Sequence, residues 1–360
     1  MSEQDAPDSA AVSSRHGGRR TAVLAWSRFL LGRLGLLVLV LLAVSLLTFG
    51  VTRATGTPLY VAVGQQATQE MIDARAEAMG LDLPLWQQYA NYLGNLLQGN
   101  LGQSRRTFTP VASDIAQRLP ATAELVTYSI LISLLWTLPL GIRAARRPRG
   151  VAARVGEGLA QFGVSVPGFW LGLLLIFALY FVVPLFPAPL GRLGNVPAPP
   201  FVTGFFTIDA LLAGQFATFL TALWYLALPA ITLSFTSAPP IFRITRTAVS
   251  GALQSDFVAA ARSYGLAHRV IMRRYVLPNS APPVINLVAM TFGYLIGGAV
   301  LVEVVFSWPG IGLYAVRAMD FSDYDAVLGV VLLSALIYVV VYFVVDLVQY
   351  LLDPRLRESS

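Results

Sequence analysis

Long apolar runs, separated by short polar or basic segments, dominate the pattern of this chain. A helix needs about 20 apolar residues to cross a bilayer. Six runs are near or above that length: 29–51, 121–142, 162–186, 217–241, 284–306 and 327–352. In the fourth, we expect Pro229 and Pro239 to interrupt the helix and Arg243 and Arg246 to end it. The first exceeds the apolar core of a signal peptide and lacks a cleavage site, so we interpret it as a permanent anchor. The pattern predicts an all-α integral membrane protein with six transmembrane helices.

Polar segments divide the chain into a tail, an insert and a membrane core. We expect a disordered cytoplasmic tail at residues 1–27, where large apolar side chains are scarce. The predicted order continues with helix 1 at 28–53, an insert at 54–118, a core with helices 2–6 at 119–352, and a cytoplasmic C-terminal tail at 353–360. Apolar residues at helical spacing predict helices within the insert at about 68–80 and at 85–97.

Arginine is concentrated on alternate sides of the predicted helices. It is abundant in the N-terminal tail, the second-to-third loop, the fourth-to-fifth loop and the C-terminus: Arg19, Arg20, Arg28, Arg143, Arg146, Arg147, Arg149, Arg154, Arg262, Arg269, Arg273, Arg274, Arg355 and Arg357. The other loops offset fewer arginines with carboxylates. Because cytoplasmic segments carry an excess of basic residues, we predict that both termini are cytoplasmic and that the insert is extracytoplasmic. An even number of membrane crossings follows.

Composition excludes several classes of function. The chain is 56% hydrophobic and 12% charged, whereas soluble domains carry about 25% charged residues. Lysine is absent, so the lysine-containing phosphate-binding loop of ATPases cannot form. There is no cysteine and no His-Glu-x-x-His metal motif. We therefore expect a chain that is not an enzyme and holds no cofactor or metal. Arginines beside apolar runs favour a lipid surface over nucleic acid.

The most informative segment is the predicted cytoplasmic loop at 250–278. Ser255 or Asp256 can cap a short helix there. One face of that helix is predicted to be formed by Phe257, Ala260, Ala261 and Tyr264. Gly265 suits the left-handed residue that ends such a helix. The loop thus predicts a short amphipathic helix followed by a glycine hinge.

A second short, strongly basic helix is predicted from His268 to about Tyr275, and Pro278 marks the start of helix 5. A small apolar face in this position is useful for binding a partner protein. The alternative is a helix that rests on the lipid surface. The residues by themselves leave both interpretations open.

Segment 256–266 resembles the cytoplasmic loop of ATP-binding-cassette importer permeases, in the form found in the oligopeptide and dipeptide (peptide/nickel) permease family. The residues that carry the resemblance are Asp256, Phe257, Val258, Ala261, Arg262, Ser263, Gly265 and Leu266. Tyr264 stands where the family usually has Lys.

Ordered motifs extend this resemblance over nearly the whole chain. They are Gly80, Leu81, Asp82, Pro84, Gln88 and Tyr89, then Gly99, Leu101, Gly102 and Ser104, then Pro120, Ala121 and Thr122, then Leu228 and Pro229, then Arg243, Thr245 and Arg246, then Glu303, Phe306, Ser307, Pro309, Gly310 and Gly312, and finally Asp353, Pro354 and Arg355. Thr57 and Asn100 depart from the family pattern, which has Asp at both positions. Each motif is common by itself, and their order makes the resemblance specific.

The resemblance implies a type I importer permease fold with a helical extracytoplasmic insert after helix 1, in the bacterial cytoplasmic membrane. It implies a subunit of an ATP-driven importer that moves oligo- or dipeptides inward. The implied partners are a second homologous permease, two ATPase subunits that bind ATP and Mg²⁺, an extracytoplasmic binding protein, the peptide and membrane lipid. The implied coupling residues are Asp256, Phe257, Ala260, Ala261, Arg262, Tyr264, Gly265 and Leu266. Among these, Phe257, Ala261 and Tyr264 are the candidates for the face that an ATPase grips.

Other functions remain open at this point. Related systems carry nickel or other small solutes. An ion-coupled secondary transporter is the alternative from another class, although the carboxylates lie near helix ends rather than in helix middles, and a structural anchor is a third. Glu303 and Phe306 are candidate pathway or gate residues. The other interpretation of Glu303 is a carboxylate that organises the loop at 306–312.

Overall fold

The computed structural model describes residues 31–51 and 82–352, with the isolated positions 70 and 77, and side chains up to residue 347. Regular structure in these residues is helical, apart from an antiparallel bridge between Gln103 and Pro110. The predicted tails at 1–27 and 353–360 lie outside the described residues, as does most of the helix predicted at 68–80.

Helices account for most of the described chain. In order they are α1 (Leu31–Val51), α2 (Leu85–Leu97), α3 (Val111–Arg146), α4 (Val151–Ser165), α5 (Gly168–Ile176, followed by a π-helical segment Phe177–Val182), α6 (Phe206–Leu212), α7 (Phe216–Leu253), α8 (Asp256–Ser263), α9 (His268–Ile271, followed by a π-helical segment Met272–Val276), α10 (Leu277–Gly298), α11 (Val300–Val305), α12 (Ile311–Asp320) and α13 (Tyr324–Leu352). Within the described residues, five helices are long and apolar enough to cross a membrane, or six spans result if α4 and α5 count as one.

α4 and α5 form a bent pair where the sequence predicted one straight run at 162–186. Their axes meet at 102° across the junction between them. Val166 is extended there, with φ −105° and ψ 121°, because a proline disfavours the helical conformation of the residue before it. The proline is Pro167. The prediction of an uninterrupted helix is therefore wrong at this junction.

α7 is longer than predicted. It continues through Pro229 and Pro239, where interruptions were predicted, and past the arginines that were predicted to end it. A helical proline leaves the carbonyl four residues earlier without its usual donor, and for Pro239 this is the carbonyl of Phe235. Gly163 of α4 lies against that carbonyl, since a Cβ at Gly163 would be 2.3 Å from its oxygen. A neighbouring helix that packs so closely keeps the disrupted turn away from lipid.

The basic helix predicted at 268–275 is not a separate element. α9 continues through the π-helical segment into α10, so that one helix extends from His268 to Gly298. Pro278 lies at the start of α10, directly after the π-helical segment. A change in hydrogen-bond register accommodates a residue that lacks an N–H. Proline therefore marks a change of register here and not the start of a new helix.

Two hydrophobic clusters occupy opposite ends of α3 and α7. The larger lies among α3, α7 and α10–α13, and its fully buried Trp308 donates an indole hydrogen bond to the carbonyl of Ala121 at 2.8 Å. The smaller, which we call the apolar clamp, consists of Ala145, Val249, Val258, Ala261, Ile271, Met272 and Val276. The apolar clamp joins α8 and α9 to the ends of the two longest helices.

α1 contacts the rest of the chain near both of its ends. Arg33 Nε lies 3.1 Å from Asp346 Oδ2 of α13. Toward the other end of α1, the hydroxyl oxygens of Ser45 and Tyr89 are 2.9 Å apart, which links α1 to α2. The start of α1 therefore lies beside the end of α13.

Candidate functional site

The candidate site is the loop that α8 and α9 form between the two long helices α7 and α10. α8 begins after Ser255, which has the extended backbone of an N-cap residue. The Ser255 hydroxyl donates to the carbonyl of Ala252 at 2.6 Å and makes no capping bond to α8. Asp256 lies in the first turn of α8, where a negative charge interacts favourably with the helix dipole. The predicted helix start is confirmed, but the predicted side-chain cap is not formed.

The end of α8 has the geometry of a Schellman motif. Gly265 has φ +73°, in the left-handed region that favours glycine. Its amide donates to the carbonyl of Arg262 at 2.9 Å, and the amide of Leu266 donates to the carbonyl of Ala261 at 3.2 Å. These two bonds satisfy carbonyls that the helix end would otherwise leave free. The chain therefore turns at a fixed angle from α8 into α9.

α8 has an inner face and an outer face. Val258 and Ala261, three residues apart, are buried in the apolar clamp. Phe257, Ala260 and Tyr264 lie on a neighbouring side of the helix, and the exposed fraction is 40% for Phe257 and 84% for Tyr264. Ala261 was predicted to share a face with Phe257, Ala260 and Tyr264, but it is buried with Val258, because other parts of the chain pack against that side of α8. We define the outer face as Phe257, Ala260 and Tyr264.

The loop also exposes four basic side chains. Arg262 occupies the last turn of α8 and is exposed. The exposed Arg269, Arg273 and Arg274 follow on α9 and the π-helical segment. None of these four guanidinium groups forms an ion pair with a carboxylate of the described residues. The loop thus exposes both aromatic rings and arginines, a composition suited to binding a protein groove that carries carboxylates.

The apolar clamp connects the loop to the long helices through close packing. It contains Ala145 near the end of α3 and Val249 near the end of α7. α3 and α7 approach closely just before these ends, since a Cβ at Gly141 would lie 2.9 Å from the side chain of Thr245. A force applied to α8 therefore reaches two long helices through close-packed contacts.

Glu303 and Phe306 lie at the opposite end of the molecule and are buried. α11 is separated from α10 by Ala299, where the predicted run 284–306 was continuous. Glu303 accepts hydrogen bonds from the hydroxyl of Thr122 at 2.6 Å and from the amide of Leu313 at 2.9 Å. These contacts tie α3 to the first turn of α12. The arrangement matches the interpretation of Glu303 as a carboxylate that organises the loop at 306–312.

A buried ionic cluster was not predicted. Arg192, in the loop between α5 and α6, forms an ion pair with Glu124 of α3. Arg192 also donates to the carbonyl of Gly204 at 2.7 Å, and its guanidinium carbon lies 3.4 Å from the centre of the Phe206 ring. Glu124 accepts two further bonds from Thr207, from the amide at 2.9 Å and from the hydroxyl at 2.7 Å.

Charge and burial act against each other in this cluster. Burial lowers the pKa of Arg192, whereas Glu124 and Asp209 act in the opposite direction. Burial alone would raise the pKa of Asp209, but hydrogen bonds from the Thr203 hydroxyl and from the amides of Thr203, Val202 and Gly204 hold it below its usual value. The only signal in the sequence was an arginine isolated in a Pro/Gly-rich loop.

No set of three carboxylate or imidazole groups in the described part of the chain has the arrangement of a metal site. Residues 137–358 match the family described as binding-protein-dependent transport system inner membrane component. Residues 26–126 match the family described as the N-terminal part of the membrane component of these systems.

Three curated relatives are similar to almost the whole chain. The probable D,D-dipeptide transport system permease protein DdpB of Escherichia coli (strain K12) is 37% identical, covering 90% of this chain and 96% of that protein. The di/tripeptide transport system permease protein DppB of Pseudomonas aeruginosa (strain UCBPP-PA14) is 38% identical, covering 92% and 99%. The dipeptide transport system permease protein DppB of Escherichia coli (strain K12) is 33% identical, covering 92% and 99%.

Proposed function

This chain belongs to the family of inner membrane components of binding-protein-dependent transport systems, and we propose that it is the permease subunit of an ATP-driven importer of short peptides. The observation that carries the proposal is its similarity, over nearly its full length, to three permeases whose names specify D,D-dipeptides, di/tripeptides or dipeptides. The chain is a multi-pass membrane protein. Its proposed location is the bacterial cytoplasmic membrane.

The proposed topology has six spans with both termini in the cytoplasm. The ion pair between Arg33 and Asp346 supports it, because the start of α1 and the end of α13 then lie on the same side of the membrane. An even number of crossings follows, so the bent pair α4–α5 counts as one span. The excess of arginine in the loops on that side supports its assignment to the cytoplasm.

α8 and the glycine turn after it are proposed to dock in a groove of a partner ATPase. The outer face would enter the groove, with Asp256, Arg262, Gly265 and Leu266 around it. Ala261 would act from the inner face, where it anchors α8 in the apolar clamp. Closure of the ATPase would then move α3 and α7 through that anchor.

The proposed importer contains a second homologous permease, two ATPase subunits and an extracytoplasmic binding protein. ATP and Mg²⁺ would bind to the ATPase subunits, since a chain without lysine has no phosphate-binding loop of the ATPase type. Ion-coupled transport receives less support. Such transporters place ionisable side chains within their spans, whereas Glu124 lies near the start of the apolar part of α3 and is bound by Arg192.

The test is to purify the tagged chain with its partners in mild detergent and then measure dipeptide uptake in liposomes. We expect a second permease and ATPase subunits to co-purify, and uptake to require ATP. Tyr264→Asp should release the ATPases, because it places a carboxylate in the outer face. Ala259→Asp is the matched control, since Ala259 is exposed on another side of α8. Recovery of the chain alone, with uptake that ignores ATP, would contradict the proposal.

A further inference from the structure

A tight loop at residues 101–110 exposes an aromatic ring at the end of the molecule opposite the apolar clamp. The amide of Ser104 donates to the carbonyl of Thr109, and the amide of Phe108 donates to the carbonyl of Ser104, both at 3.0 Å. Phe108 has φ +56° and an exposed fraction of 84%. A bulky residue with positive φ is a conformational outlier, and such outliers persist only where the surrounding structure imposes them.

A buried carboxylate imposes this conformation. Asp323 Oδ2 accepts hydrogen bonds from the hydroxyl of Ser104 at 2.6 Å and from the amides of Arg105 at 2.9 Å and Arg106 at 3.4 Å. The next residue, Thr107, donates from its amide to the Ser104 hydroxyl at 3.2 Å. The loop is therefore fixed from below, and Phe108 is held in its exposed position before any partner binds.

Further apolar and basic side chains lie in the Phe108 loop and in the segment just before Asp323, the residue that anchors this loop. The guanidinium carbon of Arg106 is 5.9 Å from the centre of the Phe321 ring. Phe321 and Met319 have exposed fractions of 62% and 61%. Neither Arg105 nor Arg106 forms an ion pair with a carboxylate of the described residues. We call Phe108, Met319 and Phe321, with Arg105 and Arg106, the outer patch.

The position of the loop along α3 argues against a lipid contact. The apolar part of α3 begins near Leu119, and Asp114, Gln117 and Arg118 lie between it and the loop. At about 1.5 Å per residue, eight residues of helix separate the loop from the apolar part by roughly 12 Å. Phe108 is therefore placed in water beyond the hydrocarbon, where an exposed ring is explained better by a protein partner.

We propose that the outer patch is the docking surface for the extracytoplasmic binding protein, and that Phe108 inserts into an apolar pocket bordered by carboxylates of that protein. The inference rests on the proposed function, which supplies this partner. A side chain that is already held in its bound conformation loses little entropy on docking. Aromatic rings and arginines are the usual anchors of protein interfaces. Arg106 forms no ion pair with a carboxylate of the described residues, and Arg105 interacts only at longer range with Asp325, so both charges favour an acidic surface opposite them.

The test uses the complete importer in liposomes and measures how ATP hydrolysis depends on the concentration of added binding protein. For Phe108→Ala and Phe108→Gly, we expect the half-maximal concentration to rise about tenfold or more. Phe108→Gly should not lower the unfolding temperature, because glycine accepts a positive φ. Phe201→Ala is the matched control, since Phe201 is an exposed phenylalanine in another loop, and it should change the concentration less than about twofold. Equal half-maximal concentrations for wild type and both Phe108 variants would overturn the proposal.

A second measurement separates a protein contact from a lipid contact. The chain has no cysteine, so Phe108→Cys provides a single site for an environment-sensitive fluorophore. We expect its emission to shift to the blue when purified binding protein is added. Quenching by spin-labelled lipid instead would overturn the proposal in favour of the membrane. If the binding protein fails to stimulate even the wild-type importer, the proposed function fails together with the outer patch.

Discussion

The two ends of this molecule are held together by different forces. The apolar clamp contains only alanine, valine, isoleucine and methionine side chains. At the opposite end, the buried carboxylates Glu124, Asp209, Glu303 and Asp323 each bind a loop or helix end through hydrogen bonds. Apolar contacts are non-directional and allow packed helices to slide slightly, whereas a satisfied polar network specifies one geometry. The clamp therefore suits an end that moves with a partner, and the carboxylates suit an end of fixed shape.

The largest expected effect on stability comes from removing one partner of the buried ionic cluster. Glu124→Ala leaves Arg192 buried without its carboxylate, which should lower the free energy of unfolding by about 4 kcal/mol. Thermal unfolding in mild detergent measures this loss. Glu157→Ala is the control, because Glu157 and Arg246 form an exposed ion pair worth about 0–1 kcal/mol. Equal losses for the two variants would mean that the stability of the end opposite the apolar clamp does not depend on its buried charges.

A cavity in the apolar clamp tests the other end. Ile271→Ala removes a fully buried side chain and should lower the free energy of unfolding locally by about 3 kcal/mol. Limited trypsin digestion should then cleave faster after Arg262 and Arg269, while the outer loops stay protected. Leu266→Ala, outside the clamp, serves as the control. If cleavage after Arg262 is no faster in Ile271→Ala, the clamp does not hold α8 in place.

Replacing the glycine of the turn after α8 with alanine should destabilise the protein, whereas the same replacement of a glycine within a helix should stabilise it. Gly265→Ala meets no atom within 4 Å, so its cost of about 1 kcal/mol comes from the positive φ alone. Gly251→Ala also meets no atom within 4 Å but lies in α7, and it should stabilise the protein by about 0.5–1 kcal/mol. An unfolding temperature below that of wild type for Gly265→Ala and above it for Gly251→Ala would confirm the difference. Shifts of the same sign would refute it.

The sequence predicted the end of the molecule that carries α8 well because local rules determine it. The left-handed Gly265 and the start of α8 follow from turn chemistry and helical spacing, and both are confirmed. Which side of α8 faces inward was not predictable, because Ala261 lies between the two faces and tertiary packing decides its side. The positions of the long helices have the same local origin, since apolar content reflects the thickness of the bilayer, although α3 and α7 extend beyond their apolar runs.

The contacts at the end opposite the apolar clamp were largely not predicted from the sequence, because they join residues far apart in the chain. Glu124 and Arg192 are separated by 68 positions, and no spacing rule connects them. The predicted effects of two prolines were wrong in opposite ways. Pro167 breaks a run that was predicted to be continuous, whereas Pro239 lies inside a continuous helix because Gly163 covers the freed carbonyl. The effect of each proline depends on what packs against it.

The smallest expected effect is a difference in acid sensitivity between the two ends. Because hydrogen bonds hold the pKa of Asp209 below its ordinary value of 3.8, its contribution to stability is present above that value and is lost as the pH falls through the folded pKa. Hydrogen-exchange protection of the amides at 202–204, corrected for intrinsic rates, should therefore stay constant from about pH 6 to about pH 5 and fall as the pH is lowered below about 4. Amides of α8 around Val258 should not show this loss, since the clamp contains no titratable side chain. Asp209→Asn should give lower protection at 202–204 that no longer changes with pH. A loss of equal size in the variant would show that another group controls the loop.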